Sequence, residues 1–356
     1  LLETETLDPQ GADESIVQRR PVGPLVGVMP WNYPYYQVVR FVAPNLMVGN
    51  SIILKHASIC AASAQLMAEI LHEAGAPDDG YINIFASNDQ VADLIADPAV
   101  QGVSLTGSEK AGASVAQTAA EHLKKSVLEL GGSDPFILLD TADMARTATI
   151  AAQARLSNAG QACNSPKRFI VLDDLYEDFV EALVGQFESV TVGDPADPEV
   201  TMGPLISREH LERVEGLVAR AERDGATVVT GGGRPKHLKE GFFFEPTILS
   251  GVTAGSYIAQ EEVFGPVLTV LRYSDVDDAV SIANNSQYGL GGAVWGGDVD
   301  RALDVARRIR TGQVSINGTI PGDAPFGGFK QSGIGREGGV LGLRSYMEPK
   351  AIGVPA

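Results

Sequence analysis

The stretch Ser157-Asn158-Ala159-Gly160-Gln161-Ala162-Cys163 puts a thiol where chemistry can use it. Met144, Ala148, Ala151, Ala152 and Leu156 recur at helical spacing, Asn158 and Gly160 are residues that end a helix, and Cys163 follows on the turn. A thiolate at the end of an element can act as a nucleophile. A lone cysteine is, by type alone, more often a small buried hydrophobe, so its neighbours must decide. Glu129 lies in the apolar run Val127-Leu128-Glu129-Leu130 just before Gly131-Gly132. Burial there would lift a carboxylate toward the range of a general base, the alternative being a salt-bridged core acid. Asn32 stands in Met29-Pro30-Trp31-Asn32-Tyr33-Pro34, where two prolines stiffen the backbone and one amide donor could meet developing negative charge.

Three later stretches complete the set: Glu261-Glu262-Val263-Phe264-Gly265-Pro266, Pro325-Phe326-Gly327-Gly328-Phe329-Lys330 and Ser332-Gly333-Ile334-Gly335-Arg336-Glu337. In order and spacing, and over essentially the whole chain, these motifs resemble the aldehyde dehydrogenase superfamily. Leu54-Lys55-His56-Ala57, Gly131-Gly132-Ser133-Asp134-Pro135-Phe136 and Arg40 look most like its succinate-semialdehyde dehydrogenase branch. The resemblance implies NAD(P)-dependent oxidation of an aldehyde to the acid. Cys163 would attack the aldehyde carbon, Asn32 and the Cys163 backbone N–H would hold the oxyanion, and Glu129 would activate the water that hydrolyses the thioester. An enzyme that passes the acyl group to coenzyme A is the runner-up, but that branch lacks the hydrolytic glutamate. A non-catalytic protein of the same fold, truncated or crystallin-like, is the reading from another class.

For the cofactor, NADP or NAD, the resemblance implies contacts from Trp31, Lys55, Ser58, Thr106, Gly107, Ser108, Glu262 and Phe264. Lys55 would reach the adenosine ribose, Glu262 the nicotinamide ribose, and Phe264 would pack on the coenzyme. Members strict for NAD carry glutamate three positions after that lysine; Ser58 stands there instead, removing repulsion of a 2′-phosphate and favouring NADP, unless Ser58 is simply a helix cap. Thr106-Gly107-Ser108 closes a strand and opens a helix, so free N–H groups there could hold a phosphate, although an N-cap alone explains the same residues. No G-x-G-x-x-G is present. For the substrate, Arg40 matches one of two carboxylate-binding arginines of the branch, while the second falls on Ser157. Phe41 occupies a position that is often lysine in the superfamily.

The 356 residues suggest two domains, and 44% apolar residues indicate a globular chain. A formal charge of −18 argues against nucleic acid or an anionic membrane as partner. No apolar run reaches the roughly 20 residues of a membrane span. Two cysteines, Cys60 and Cys163, give no disulfide framework and fit a reducing, cytoplasmic setting; the five histidines are scattered and no metal is expected. The resemblance implies a small-molecule aldehyde as the partner. The chain opens on Leu1, and the resemblance implies that the first part of the coenzyme domain of a full-length member would lie upstream.

Buried strands are expected at residues 22–29, 51–55, 81–85 and 102–105, with helices at 34–47, 61–73 and 89–96 between them. Such alternation means a parallel sheet of the nucleotide-binding kind. A second strand and helix series begins at Pro135. The resulting fold class is α/β, aldehyde dehydrogenase-like: a Rossmann-type coenzyme domain, an α/β catalytic domain and a small β oligomerisation arm. The expected segments are an arm at 1–21, coenzyme domain 22–130, catalytic domain 131–323, a return to the coenzyme domain at 324–343, and an oligomerisation strand at 344–356. The resemblance makes that arm the seam of a homodimer or homotetramer.

Overall fold

Runs such as Leu25-Val26-Gly27-Val28-Met29 and Phe169-Ile170-Val171, apolar without alternation, fit strands covered on both faces. In the structure, a computed structural model that describes residues 2–7, 14–320 and 322–355, they lie in two parallel sheets. In chain order the first elements are β1 (Glu5–Leu7), β2 (Glu14–Pro21), β3 (Leu25–Met29), α1 (Pro34–Val48), β4 (Ile52–His56), α2 (Ala61–Glu73), β5 (Tyr81–Ile84), α3 (Asn88–Ala96), β6 (Gly102–Thr106), α4 (Glu109–Glu121) and β7 (Lys125–Glu129). There follow β8 (Pro135–Leu138), α5 (Met144–Leu156), β9 (Arg168–Leu172), α6 (Tyr176–Glu188), α7 (Arg208–Arg223), β10 (Thr227–Thr230), β11 (Thr247–Ser250), α8 (Tyr257–Gln260), β12 (Val267–Tyr273), α9 (Val276–Asn284), β13 (Ala293–Trp295), α10 (Val299–Arg308) and β14 (Ser315–Ile316). The chain closes with β15 (Gly333–Ile334), α11 (Gly339–Ser345) and β16 (Met347–Val354).

Two compact units result. The first comprises residues 1–130, 323–327 and 333–356, the second 131–322 and 328–332. Within the expected return segment 324–343, residues 328–332 therefore group with the second unit. The first unit holds a six-stranded sheet in the order β15-β7-β6-β3-β4-β5, parallel except for β15. Its helices begin where the sequence supplies caps: Pro34 at the first turn of α1, a Ser87–Gln90 capping box on α3, and Ser108 on α4. Gly27 is needed for close packing, because a Cβ there would lie 2.7 Å from the Phe41 ring of α1.

The second unit holds a seven-stranded sheet, β10-β11-β12-β9-β8-β13-β14, parallel except for β10. Phe136, Phe169 and Phe179 stack on one of its faces, and Ile137, Ile170 and Val294 pack on the other. Among the described residues no helix is long and apolar enough to cross a membrane.

β1, β2 and β16 form a separate antiparallel sheet in the first unit. The expected arm segments 1–21 and 344–356 include residues 1, 8–13 and 356, which lie outside the described residues. Residues 339–345 are helical, so the final strand begins at Met347 rather than at 344. β16 is mostly exposed and covers β2 along eight residue pairs. Ending the chain at Tyr346 strips β2 of that partner and leaves its ladder groups open to other chains. Light scattering should then show a changed association state; an unchanged mass distribution would contradict the covering role of β16.

Candidate active site

Cys163 belongs to the second unit, and its turn is built by an unusual backbone. α5 ends at Leu156 with Ser157 as its cap, after which Asn158, Ala159 and Gly160 all adopt left-handed conformations, φ 51°, 53° and 72°. For Ala159, which is buried, that conformation costs about 1–3 kcal/mol and must be held by its surroundings. Asn158 and Gln161 hold it through a reciprocal pair: the Asn158 amide donates to the Gln161 carbonyl at 3.3 Å, and the Gln161 amide donates to the Asn158 carbonyl at 3.0 Å. Gln161 Oε1 also accepts the Ile206 N–H at 2.9 Å. A Cβ at Gly160 would sit 2.1 Å from the Gly265 carbonyl oxygen, so only glycine permits that approach. Cys163 emerges half-buried and outside any disulfide.

Gly132 lies between the Cys163 turn and Glu262. A side chain there would meet the Cys163 carbonyl oxygen at 2.3 Å, and its N–H donates to Glu262 Oε1 at 2.9 Å. The second unit thus brings Cys163, Gly132, Glu262 and Phe264 together, the last with its carbonyl bonded to His210. Ser157, the expected position of a second substrate arginine, lines an open cleft of about 780 Å³ with Gln153, Gln186, Thr201 and Met202.

In the first unit Glu129 ends β7 and is only 2% exposed. Neither carboxylate oxygen has a hydrogen-bond partner. Burial, reinforced by the neighbouring Glu337 charge, pushes its pKa up to about 9 against the pull of Arg40 and Arg336. No cation lies within ion-pair distance of it among the described residues, so Glu129 is not a salt-bridged core acid. Gly327 keeps its surroundings tight, since a Cβ there would fall 2.8 Å from Glu129 Oε1.

Arg40 requires a correction. Its Nε pairs with Glu337 at 2.5 Å, its guanidinium lies over the rings of Phe326 and Tyr36, and the side chain is 10% exposed. Glu337 also accepts the Ser104 hydroxyl at 3.1 Å. The carboxylate that Arg40 grips is the chain's own, and a substrate carboxylate would have to displace it. Glu337 was present in the Gly-Ile-Gly-Arg-Glu motif, but nothing in the sequence links it to Arg40, far away along the chain.

The expected phosphate site is corrected in part as well. The Gly107 N–H donates to the Glu129 carbonyl at 2.9 Å, so it is not a free donor, and Ser108 Oγ caps α4 by accepting from Ala111 N–H at 3.4 Å. Thr106 is buried, its hydroxyl facing Arg40 at 3.5 Å. Lys55 and Ser108 line a cavity of about 300 Å³ together with Asn88, Lys110 and Thr118. Among the described residues no carboxylate lines it. Ser58 is exposed at the first residue of a single 3₁₀ turn whose cap position belongs to Ala57, so capping does not account for it. Trp31 and Asn32 occupy the bend between β3 and α1, half-buried, with the Cys60 thiol directed at the Trp31 carbonyl at 4.0 Å.

Sequence reasoning missed Lys167, Arg155 and His210 of the second unit, whose side chains reach the backbone around Glu262. Lys167-Arg168 ahead of an apolar strand was the visible signal, because cations seldom stand where both faces are covered.

The aldehyde dehydrogenase family model matches residues 2–352. The succinate-semialdehyde dehydrogenase (NADP+) of Deinococcus radiodurans is 51% identical over 354 residues, which is 99% of this chain and 73% of that protein. The corresponding Mycobacterium leprae protein is 40% identical over 344 residues, 96% of this chain and 75% of that protein. Among solved structures, succinic semialdehyde dehydrogenase from Streptococcus pyogenes in complex with NADP+ matches with a TM-score of 0.96 at 43% identity, covering 100% of this chain and 78% of that one. A Mycobacterium tuberculosis aldehyde dehydrogenase complexed with NAD+ gives 0.96 at 38% identity, over 99% and 73%. With a family match from one end of the chain to the other and more than half of its residues shared with such a relative, this chain belongs to the aldehyde dehydrogenase family, oxidoreductases that act on an aldehyde group.

Proposed function

We propose that the chain oxidises succinate semialdehyde, or a related short semialdehyde, to the carboxylic acid, with NADP as the favoured coenzyme and NAD as the alternative. The observation that carries the reaction type is Glu129: a buried carboxyl group without a hydrogen-bond partner, its pKa pushed up to about 9, is strongly basic in its deprotonated form, as proton abstraction from water requires. An enzyme that handed its acyl group to a thiol would have no use for it. The substrate class rests on the relatives named for succinate semialdehyde.

In this reading Cys163 attacks the aldehyde carbon as a thiolate, and the tetrahedral oxyanion is met by the Asn32 amide and the Cys163 backbone N–H. When bound, the nicotinamide supplies the acceptor for the hydride that leaves that carbon. Glu129 then takes a proton from water, and the hydroxide equivalent splits the thioester. The roles of Cys163, Asn32 and Glu129 are carried over from the family. Trp31, Lys55, Ser58, Thr106, Ser108, Glu262 and Phe264 would hold the coenzyme. The cavity lined by Lys55 and Lys110 without any carboxylate suits the extra phosphate of NADP. Two cysteines outside any disulfide favour a reducing compartment such as the cytoplasm. A homodimer or homotetramer would use the exposed β16 edge, and the truncation described above tests it.

Cys163→Ala should abolish aldehyde turnover while NADP+ still binds by calorimetry; turnover near the parent rate would remove Cys163 from the mechanism.

Only the deprotonated form of Glu129 can accept a proton, so thioester hydrolysis should rise with pH through about 9. Glu129→Gln should flatten that limb, slow hydrolysis by about 100-fold or more, and let acyl-enzyme accumulate for detection by mass spectrometry. A pH profile that survives the substitution would assign the base elsewhere.

Ser58→Glu should shift the ratio of kcat/KM values toward NAD, by about tenfold or more, because the new carboxylate repels a 2′-phosphate and can accept from the ribose hydroxyls. An unchanged ratio would take Ser58 out of coenzyme choice.

A further inference from the structure

The segment from α8 to β12 carries Glu262 and Phe264, yet residues 261–265 lie outside helix and strand. Their carbonyls therefore have no ladder to join and need other donors. Three cationic or ionisable side chains supply them. Lys167 Nζ donates to the carbonyls of Ile258 at 2.7 Å, Ala259 at 3.1 Å and Glu261 at 2.5 Å. Arg155 Nη2 donates to the carbonyls of Val263 and Gly265. His210 Nε2 donates to the carbonyl of Phe264.

Lys167 and Arg155 are each 1% exposed. Burial pushes the Lys167 ammonium well below its ordinary pKa and the Arg155 guanidinium down to about 9. A loop that merely had to be closed could use water or a serine hydroxyl, as Ser133 does at Ala259, 3.2 Å away. Burying cations against carbonyls is a costlier solution, and what it adds is direction, since a guanidinium fork fixes two acceptors at once. The donors come from the residues that frame the nucleophile. Lys167 follows Cys163 by four positions, and Arg155 sits in the last turn of α5 and reaches the Ser165 carbonyl and hydroxyl, each at 3.3 Å. Arg155 thus touches the exit of the Cys163 turn with one nitrogen and the Glu262 loop with another.

We infer that Arg155 and Lys167, assisted by His210, are positioning residues that lock Glu262 and Phe264 to the Cys163 turn and so set the coenzyme's nicotinamide end against the nucleophile. This rests on the proposed coenzyme roles of Glu262 and Phe264. Neither side chain touches substrate or coenzyme itself; both act through the carbonyls of residues 258–265.

The test uses the full chain with Arg155→Lys, which keeps the charge and loses the fork, and Lys167→Gln, which keeps one donor. Hydrogen exchange of residues 257–266 should quicken in both without coenzyme. The Kd for NADP+ by calorimetry and the coenzyme KM should rise together by about tenfold or more, with kcat at saturating coenzyme falling less than about threefold. Alkylation of Cys163 by iodoacetamide in the absence of coenzyme should keep its rate. A folded variant with a loosened loop and a Kd within twofold of the parent overturns the inference, as does a loop whose exchange does not change. Should neither variant fold, His210→Gln, at a half-buried position, carries the same expectations. A parent chain that binds no NADP+ brings down the coenzyme reading itself, a result distinct from unequal or equal binding by parent and variant.

Discussion

A cation can stay in a dry interior only where something replaces its water, and in the second unit that replacement is backbone carbonyl oxygen. Lys167, Arg155 and Arg168 are all buried, and together they donate to the carbonyls of Ser133, Ile258, Ala259, Glu261, Val263, Gly265, Ile282 and Ala283. Asp134 is the carboxylate among them, buried and raised to about 7 by that burial, with the Gly291 N–H and the arginines holding it down. The carbonyls of the irregular stretch 261–265 are among those satisfied in this way. Removing one such donor would strand several carbonyls at once, at about 1–3 kcal/mol each.

The first unit holds the opposite case, a buried carboxyl group whose charged form has no partner. Glu337 is satisfied by Arg40 and Ser104, and its charge helps raise Glu129, which has no such partner. Two carboxyl groups in one neighbourhood thus differ in what each can reach, Glu337 an arginine and a hydroxyl, Glu129 neither.

Much of this was legible in the sequence, for identifiable reasons. The parallel strands of the first unit follow from apolar runs, and the starts of helices α1 and α4 from Pro34 and Ser108. The turn that carries Cys163 was legible from the helix-ending Asn158 and Gly160, and the burial of Glu129 from its apolar neighbours. What could not be read was pairing across long stretches of chain. Arg40 and Glu337 meet only because β15 returns to β7, and Arg155 reaches Val263 only because β12 lies beside β9. Nor could the sequence tell that the N–H of Gly107 is spent on Glu129, since strand ends and helix starts carry the same residues whether or not an anion binds there.

The register Glu129 to Gly333 has a temporal side. During synthesis the strand that ends in Glu129 leaves the ribosome long before the residues that enclose it. At roughly 5–20 residues per second, that interval is on the order of ten to forty seconds. Until Gly327, Gly333 and Glu337 arrive, the Glu129 carboxylate is in water and titrates as any other glutamate does. A nascent chain can therefore already contain the residues of the seven-stranded sheet and the Cys163 turn while the Glu129 carboxyl group is still in water. In the mechanism proposed above, the nucleophile's turn would thus be in place before the carboxyl group had acquired its burial, and the last few dozen residues would supply that burial.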